Sequence, residues 1–366
     1  MLITIIAFIL ILGLLVLVHE FGHFIAAKKN GVYVEEFGFG YPPRLFSFRF
    51  KNTLYSINLI PFGGFVKLYG EETGELDAET ITDKTIKKPL PSQAFTNKKP
   101  WQKLVILCAG VLGNFLLGWV LISILFTQGI PTPTKDVIVD RVATNSPAQY
   151  AGLEPKDILL EITINDKIFK LKSTNDLINL SKKYAGQEFA IKIKRADAEK
   201  TISITPRKNP PTGQGPLGIV ITSFIEKRYP WYQAPFFGLV EAFNITSKIV
   251  SELGKTLFQL ITFKKPQIDV AGPIGIAQFT GQAIKFGRNA VLEFIALLSL
   301  NLAVLNILPF PALDGGRLVF VIYEWISKKR VNKNLERYLN LAGFSLLILL
   351  ALLISISDVI KLIKKE

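Results

Sequence analysis

The chain has 366 residues, a formal net charge of +14 and a mean hydropathy of +0.34. Long apolar runs at both ends exclude a wholly soluble protein and place part of the chain in a lipid bilayer. The basic residues are spread over loops and form no stripe interleaved with aromatic side chains, which excludes a nucleic-acid partner. The single cysteine, Cys108, excludes an intrachain disulfide.

The first transmembrane helix is predicted in residues 1–30. Residues 2–18 carry no charge and continue directly into HEFGH at 19–23, without the cleavage site of a signal peptide. These apolar residues span about 25 Å of a hydrocarbon core that is roughly 30 Å thick. His19 is therefore expected inside the membrane, near its far face.

A membrane-associated β-hairpin and a polar loop are predicted in residues 31–100. The segments FSFRF and LYSINLI alternate, or nearly so, between apolar and polar residues and are bounded by Gly, Pro and Asn, as paired strands are. The second transmembrane helix is predicted in residues 101–130. Three of its glycines would let another helix approach closely: Gly110, Gly113 and Gly118.

A small α+β domain is predicted where the chain leaves the bilayer, in residues 131–222. Its strand-like runs are VIVDRV, ILLEITI, FAIKIKR and TISITP. A helix is expected at 173–184, with Ser173 as its cap.

The C-terminal third is predicted to return to the membrane. Residues 223–288 are expected to form an interfacial amphipathic helix and a loop, because one helical face is apolar and the other is charged. Residues 289–366 should hold the third and fourth transmembrane helices, at about 290–310 and 338–357, with LDGG after the third. The predicted fold is a polytopic α-helical membrane protein with four transmembrane helices, a membrane-associated hairpin and one inserted α+β domain.

The segment HEFGH carries the spacing of a metal site. His19 and His23 are four residues apart and share one face of a helix, where both imidazoles can bind one zinc ion, with Glu20 beside them as a general base. The plain alternative is a set of interfacial polar groups. It explains poorly why the chain's only two histidines have this spacing and why a charge stands where charge is expensive.

A third ligand is needed, because catalytic zinc takes three protein ligands and keeps one position for water. With no third histidine, the candidates are carboxylates or Cys108. Asp314 is favoured because Pro309, Pro311, Gly315 and Gly316 would unwind its helix and turn the carboxylate toward the first span.

Two alternatives to Asp314 as the third ligand stay open. Glu35 and Glu36 are rival ligands beyond His23, although they follow the helix-ending Gly31. Asp314 could instead serve as a helix cap or as the partner of Arg317.

Along nearly its whole length, the chain resembles the bacterial site-2 proteases of the RseP type. The segments HEFGH, GVLGN and NILPFPALDGG match that family's HExxH, GxxxN and NxxPxPxLDG in order. The resemblance implies that His19, His23 and Asp314 bind zinc and that Glu20 is the catalytic base.

The resemblance also implies how substrate is held. The hairpin, ending in PFGGFVKLYG, would pair with an extended substrate strand, which makes Gly63 and Gly64 candidate substrate-binding residues. Asn306, Asn114 and Asn301 could hold the substrate backbone, or else form ordinary interhelical hydrogen bonds.

The inserted domain resembles the PDZ domain of the same family. Lys156 stands where glycine is common, and Asn165-Asp166 where Asn-Gly is usual. These are turn positions, so the fold should survive. Its role is either to bind peptide C-termini or to filter substrates by size over the active site, and the filter is favoured.

The implied function is zinc-dependent intramembrane cleavage of single-span membrane proteins, such as an anti-sigma factor or a signal-peptide remnant. The basic loop at 328–337 places that side in the cytoplasm of a bacterial inner membrane, with the active site near it and the PDZ-like domain on the extracytoplasmic side. The alternative is a proteolytically inactive scaffold or metal sensor that uses the PDZ-like domain. A metal transporter is a third hypothesis, disfavoured because no chain of intramembrane acids forms a pathway.

Overall fold

The computed structural model describes residues 2–71, 89–196, 198–262 and 271–363. The chain divides into two compact units. The membrane unit combines Met1–Leu125 with Trp231–Glu366, and the insert is Phe126–Pro230.

The elements follow in chain order. The helices are α1 (Leu2–Lys29), α2 (Pro100–Gln128), α3 (Pro147–Tyr150), α4 (Thr174–Lys183), α5 (Ala234–Ile261), α6 (Pro273–Phe286), α7 (Arg288–Ile307), α8 (Asp314–Ser327) and α9 (Lys333–Ile363). The strands are β1 (Val34–Phe50), β2 (Thr53–Leu68), β3 (Ile130–Val142), β4 (Ile158–Ile164), β5 (Lys167–Lys170), β6 (Phe189–Arg195), β7 (Ala198–Ile204) and β8 (Ile219–Lys227).

Four helices of the described chain are long and apolar enough to cross a membrane: α1, α2, α7 and α9. They match the four predicted spans, and the protein is a multi-pass membrane protein. Glycines bring the spans together, as predicted. A Cβ at Gly113 would lie 2.8 Å from the Val18 carbonyl of α1, and one at Gly118 would lie 2.7 Å from Leu300 of α7.

The third span ends earlier than predicted, at Ile307, and a separate helix, α8, begins at Asp314. Pro309 and Pro311 lie in the break between them, as the sequence indicates. The LDGG glycines pack against backbone carbonyls of this break, where a side chain would overlap them. Helix α8 was not predicted, because its apolar residues read as part of a broken span.

The segment before the third span contains two helices rather than one. The first turns of α5 lie beside α2: the Trp119 indole donates to the Pro235 carbonyl at 2.7 Å, and the Phe243 and Phe115 rings are 5.0 Å apart. Helix α6 was expected as loop. Its first N–H groups donate to the buried Asp358 of α9, from Gly272 at 3.0 Å and Gly275 at 2.9 Å.

The hairpin is antiparallel, with irregular register along β1 and β2. Lys51 and Asn52 have positive φ and form the tight turn that joins Phe50 to Thr53. Its distal half exposes apolar side chains, which suits contact with lipid. These include Tyr41, Leu45, Phe46, Phe48, Ile57 and Leu59.

The insert is an antiparallel sheet in the order β7-β6-β4-β3-β8, with β5 paired to β4. Ser173 caps α4, as predicted, and its hydroxyl accepts from the Asp176 amide. Strands β5 and β8 were missed. The turn residues that depart from the family pattern adopt positive φ without loss of the fold, namely Lys156, Asn165 and Asp166.

Candidate metal centre

Two buried imidazoles from α1 form the base of the site. His19 and His23 lie one helical turn apart, and their Nε2 atoms are 3.1 Å from each other. They are only 8% and 9% exposed. The sequence prediction that both rings share one helix face is confirmed.

Asp314 completes the group from the far end of the sequence. Its Oδ2 lies 3.0 Å from His19 Nε2 and 3.2 Å from His23 Nε2. It is the first residue of α8, so the break after the third span turns the carboxylate toward α1. Among the described residues, these three form a group able to hold a metal ion.

The donor set fits zinc. Two imidazole nitrogens and one carboxylate oxygen are a common catalytic zinc set. Tetrahedral ligands about 2.1 Å from zinc lie roughly 3.4 Å apart. The 3.0 to 3.2 Å separations here are close to that value.

A backbone carbonyl of α2 fixes the orientation of the His23 ring. Its Nδ1 lies 2.8 Å from the Ile106 carbonyl of α2. A carbonyl only accepts, so Nδ1 carries the proton and Nε2 presents its lone pair to the site.

Asn306 contacts the second imidazole. Its amide lies 3.5 Å from His19 Nδ1. The atom nearest the ring is the amide nitrogen, Nδ2. When His19 Nε2 binds a metal, Nδ1 carries the proton, and an amide turned by about 180° would present its oxygen as the acceptor. The structure thus brings Asn306 beside His19, a contact that the sequence did not indicate.

Gly110 of α2 provides the space that the two rings occupy. A Cβ at this position would overlap the His23 ring and lie 2.8 Å from His19 Cε1. The sequence indicated close helix packing at Gly110. The structure shows that imidazoles, rather than a helix backbone, fill the space.

Glu20, the neighbour of His19 on α1, lies close to the hairpin. It is half-buried on α1, and a Cβ at Gly64 of β2 would lie 3.6 Å from its Cγ. The same Cβ would lie 3.1 Å from the Gly38 carbonyl of β1. The absence of a side chain at Gly64 therefore lets the hairpin pass beside Glu20, whereas Gly63 faces Tyr41.

The rival ligands have other positions. Glu35 pairs with Lys67 at 3.1 Å, and Glu36 pairs with Arg44 at 2.8 Å. Cys108 is exposed on α2 and is not part of the metal-binding group.

The alternative partner for Asp314 is also occupied. Arg317 forms an ion pair with Glu71, whereas the carboxylate of Asp314 faces the imidazoles.

The other asparagines lie on the facing spans. Asn114 is fully buried on α2, and its amide has no hydrogen-bond partner among the described residues. Its backbone carbonyl accepts from Ser299 of α7 at 2.7 Å. Asn301 is half-buried on α7.

The chain is similar to known metalloproteases over most of its length. The sequence profile of peptidase family M50 matches residues 7–350. A protein of Clostridium perfringens whose name describes a zinc metalloprotease is 35% identical, covering 94% of this chain and 95% of its own. The regulator of sigma-W protease RasP of Bacillus subtilis is 28% identical, covering 98% of this chain and 99% of its own.

A solved structure also matches part of the chain. It is the PDZ domain of an SdrC-like protein from Listeria monocytogenes, at 22% identity and a TM-score of 0.21, and the match covers 25% of this chain and 94% of that one.

Proposed function

Because this chain belongs to peptidase family M50 and is a site-2-type zinc metalloprotease, we propose that it hydrolyses peptide bonds inside the membrane. Its substrates would be single-span membrane proteins or membrane-anchored remnants. The supporting observation is the meeting of His19, His23 and Asp314 between apolar spans, with Glu20 alongside. Such a group is costly within a bilayer unless it serves a site.

Zinc would be held by the two Nε2 atoms and the Asp314 carboxylate. When bound, it supplies a Lewis acid that polarises the scissile carbonyl and lowers the pKa of water. The Ile106 carbonyl and Asn306 orient the two imidazoles for this task.

Glu20 would move the protons of the reaction. It lies on the same helix as the ligands, beside a backbone that lacks side chains at Gly64. As general base it takes a proton from the attacking water, and it then gives a proton to the leaving amine.

The hairpin would hold the substrate as an added strand. A transmembrane helix must unwind before cleavage, and an edge strand replaces its lost backbone hydrogen bonds. Gly63 and Gly64 would let that strand approach Glu20, while Asn306, Asn114 and Asn301 would pair with its backbone. The unpartnered amide of Asn114 supports its place in this set.

The substrate class follows from a relative. The Bacillus subtilis protein is named as a regulator of sigma-W protease. By that likeness, a membrane-anchored anti-sigma factor is a candidate substrate, and a signal-peptide remnant is a second.

Two variants test the proposal in purified full-length protein with a single-span reporter. Glu20→Gln should keep zinc but lower cleavage at least about a hundredfold, within the range known for lost acid–base groups. Asp314→Ala should lose both zinc and cleavage, measured by metal analysis and product formation. Undiminished cleavage by Glu20→Gln would contradict the role of Glu20 as general base. Full zinc content in Asp314→Ala would show that Asp314 is not a zinc ligand.

A further inference from the structure

An ion pair next to the metal centre has no part in the proposed chemistry. Arg317 of α8 pairs with Glu71, which follows the end of β2. The Glu71 side chain is 17% exposed and that of Arg317 is 45% exposed. The Glu71 carboxylate is therefore mostly buried, where an unpaired charge is costly.

Arg317 stands three residues after Asp314 on the same helix. Residues three apart share a helix face, and a carboxylate and a guanidinium at that spacing pair readily. Such a pair would occupy oxygens of Asp314. In the structure Asp314 faces His19 instead, and Arg317 is held by Glu71.

Glu71 has a well-anchored backbone. Its N–H donates to the Leu68 carbonyl at 3.1 Å. Two residues earlier in the chain, Tyr69 donates to the Tyr33 carbonyl at 3.0 Å and accepts from the Phe95 amide at 2.8 Å. The carboxylate therefore projects from a fixed position at the base of the hairpin.

We propose that Glu71 is a positioning residue that holds Arg317 in a separate ion pair and so keeps the Asp314 carboxylate free for the metal. This inference rests on the proposed zinc site. The inference predicts that loss of the two partners affects zinc affinity unequally. Losing Glu71 releases a cation that competes with the metal for Asp314, whereas losing Arg317 removes that competitor.

Two simpler roles of the ion pair predict different patterns of zinc affinity among the single and double variants. A structural tie between α8 and the hairpin would make loss of either partner equally harmful. A long-range field effect would make the two changes opposite in sign and additive in free energy, because no contact is shared.

Zinc affinity distinguishes these roles without any cleavage assay. Apo full-length protein in detergent is titrated with zinc against a competing chelator. Glu71→Gln should weaken zinc binding about tenfold, the lower range for outer-shell changes. Arg317→Gln should stay within about twofold, and the double variant should recover to within about threefold of the parent.

A matched control uses another ion pair on the same helix. Glu324 lies on α8, ten residues after Asp314, and forms an ion pair with Lys103 at 3.1 Å. Glu324→Gln should leave zinc affinity unchanged. Recovery in the double variant also shows that Glu71→Gln had not simply unfolded the protein.

Three results would overturn the inference: unchanged affinity in Glu71→Gln, equal losses in both single variants, or a strictly additive cycle. Each is read from zinc binding alone. Failure of the proteolytic proposal appears separately, as cleavage that survives Glu20→Gln.

Discussion

At the residue scale, the candidate centre depends on a position without a side chain. Gly110 faces both imidazoles, and an added Cβ would overlap His23. We expect Gly110→Ala to weaken zinc binding at least about tenfold and to lower cleavage in parallel, because it displaces a ligand ring. Chelator competition measures the first effect. Leu112→Ala is the control, since that side chain is 54% exposed; a Gly110→Ala protein with parental zinc affinity would contradict the geometry.

A second residue-scale prediction concerns the insert. Asp157 is buried before β4, and its carboxylate accepts from Arg195 Nε and from Arg195 Nη2, each at 2.7 Å. Burial acts to raise the pKa of Asp157, but the bonds from Arg195 and the Glu154 amide outweigh it and hold the pKa below its ordinary value.

The sign of the pH effect follows from this lowered pKa. The pair of Asp157 and Arg195 should stabilise the insert fully above the unfolded-state pKa of about 3.9, and this contribution should vanish as pH falls through the lower folded-state pKa.

Arg195→Met should lower the stability of the insert by about 3 kcal/mol near neutral pH, because it leaves a buried carboxylate unpaired. Hydrogen exchange of β6, corrected for intrinsic rates, measures this.

A matched change separates the buried pair from an ordinary surface pair. Arg141→Met, which breaks an exposed pair with Asp140, should have no effect on that exchange. Equal protection in Arg195→Met and the parent at neutral pH would refute the assignment.

The three members of the candidate centre could be predicted from the sequence, and their surroundings could not. HEFGH fixes two imidazoles by helical spacing alone, and Asp314 stands out as a carboxylate among prolines and glycines. The contacts of Asn306 and Gly110 with the imidazoles depend on how three helices pack. No local pattern encodes that packing.

At the element scale, α6 is held by an acid from another helix. Asp358 of α9 accepts from the N–H groups of Gly272 and Gly275, so a distant carboxylate replaces the local cap that α6 lacks. Asp358→Ala should lower stability by about 1–2 kcal/mol and speed hydrogen exchange at the start of α6.

The control for this cap lies on the same helix. Ser355→Ala removes only a bond from the hydroxyl to the Ala351 carbonyl within α9, and it should leave α6 protected. Unchanged exchange of α6 in Asp358→Ala would show that the cap contributes nothing.

Element prediction succeeded where one signal dominates. The four spans follow from hydropathy, and α4 follows from its serine cap. Helices α6 and α8 were missed because each is short and borders a span, so its apolar residues read as loop or span. Strand β8 was missed because its pairing with β3 joins segments far apart in sequence.

At the scale of the whole molecule, contacts within the membrane unit agree on two opposite ends. At one end, α6 lies against the start of α1, where a Cβ at Gly281 would sit 3.0 Å from Thr4, and Asp358 caps α6. At the other end, α8 pairs with Glu71 and with Lys103. The start of α1 lies at the first end, so its carboxyl end, which carries His19 and His23, lies toward the second end. The candidate metal centre is therefore nearer the second end.

That second end carries the larger basic cluster. Its lysines and arginines include Lys28, Lys29, Lys98, Lys99, Lys328, Lys329, Arg330, Lys333 and Arg337. The opposite end of the described membrane unit has fewer, including Lys285, Arg288 and Lys361. Short basic loops stay in the cytoplasm, so we expect the second end to be cytoplasmic and the insert to be extracytoplasmic.

Cysteine labelling in intact cells tests this orientation. In a Cys108→Ala background, Lys167→Cys marks the insert and Arg330→Cys marks the basic loop, and both positions are exposed. A membrane-impermeant maleimide should label position 167 directly and position 330 only after permeabilisation. The reverse labelling pattern would show that the protein has the opposite orientation in the membrane. The proposed cleavage would then occur near the outer face, because the positions of Asp314 and Glu20 relative to the spans do not depend on orientation.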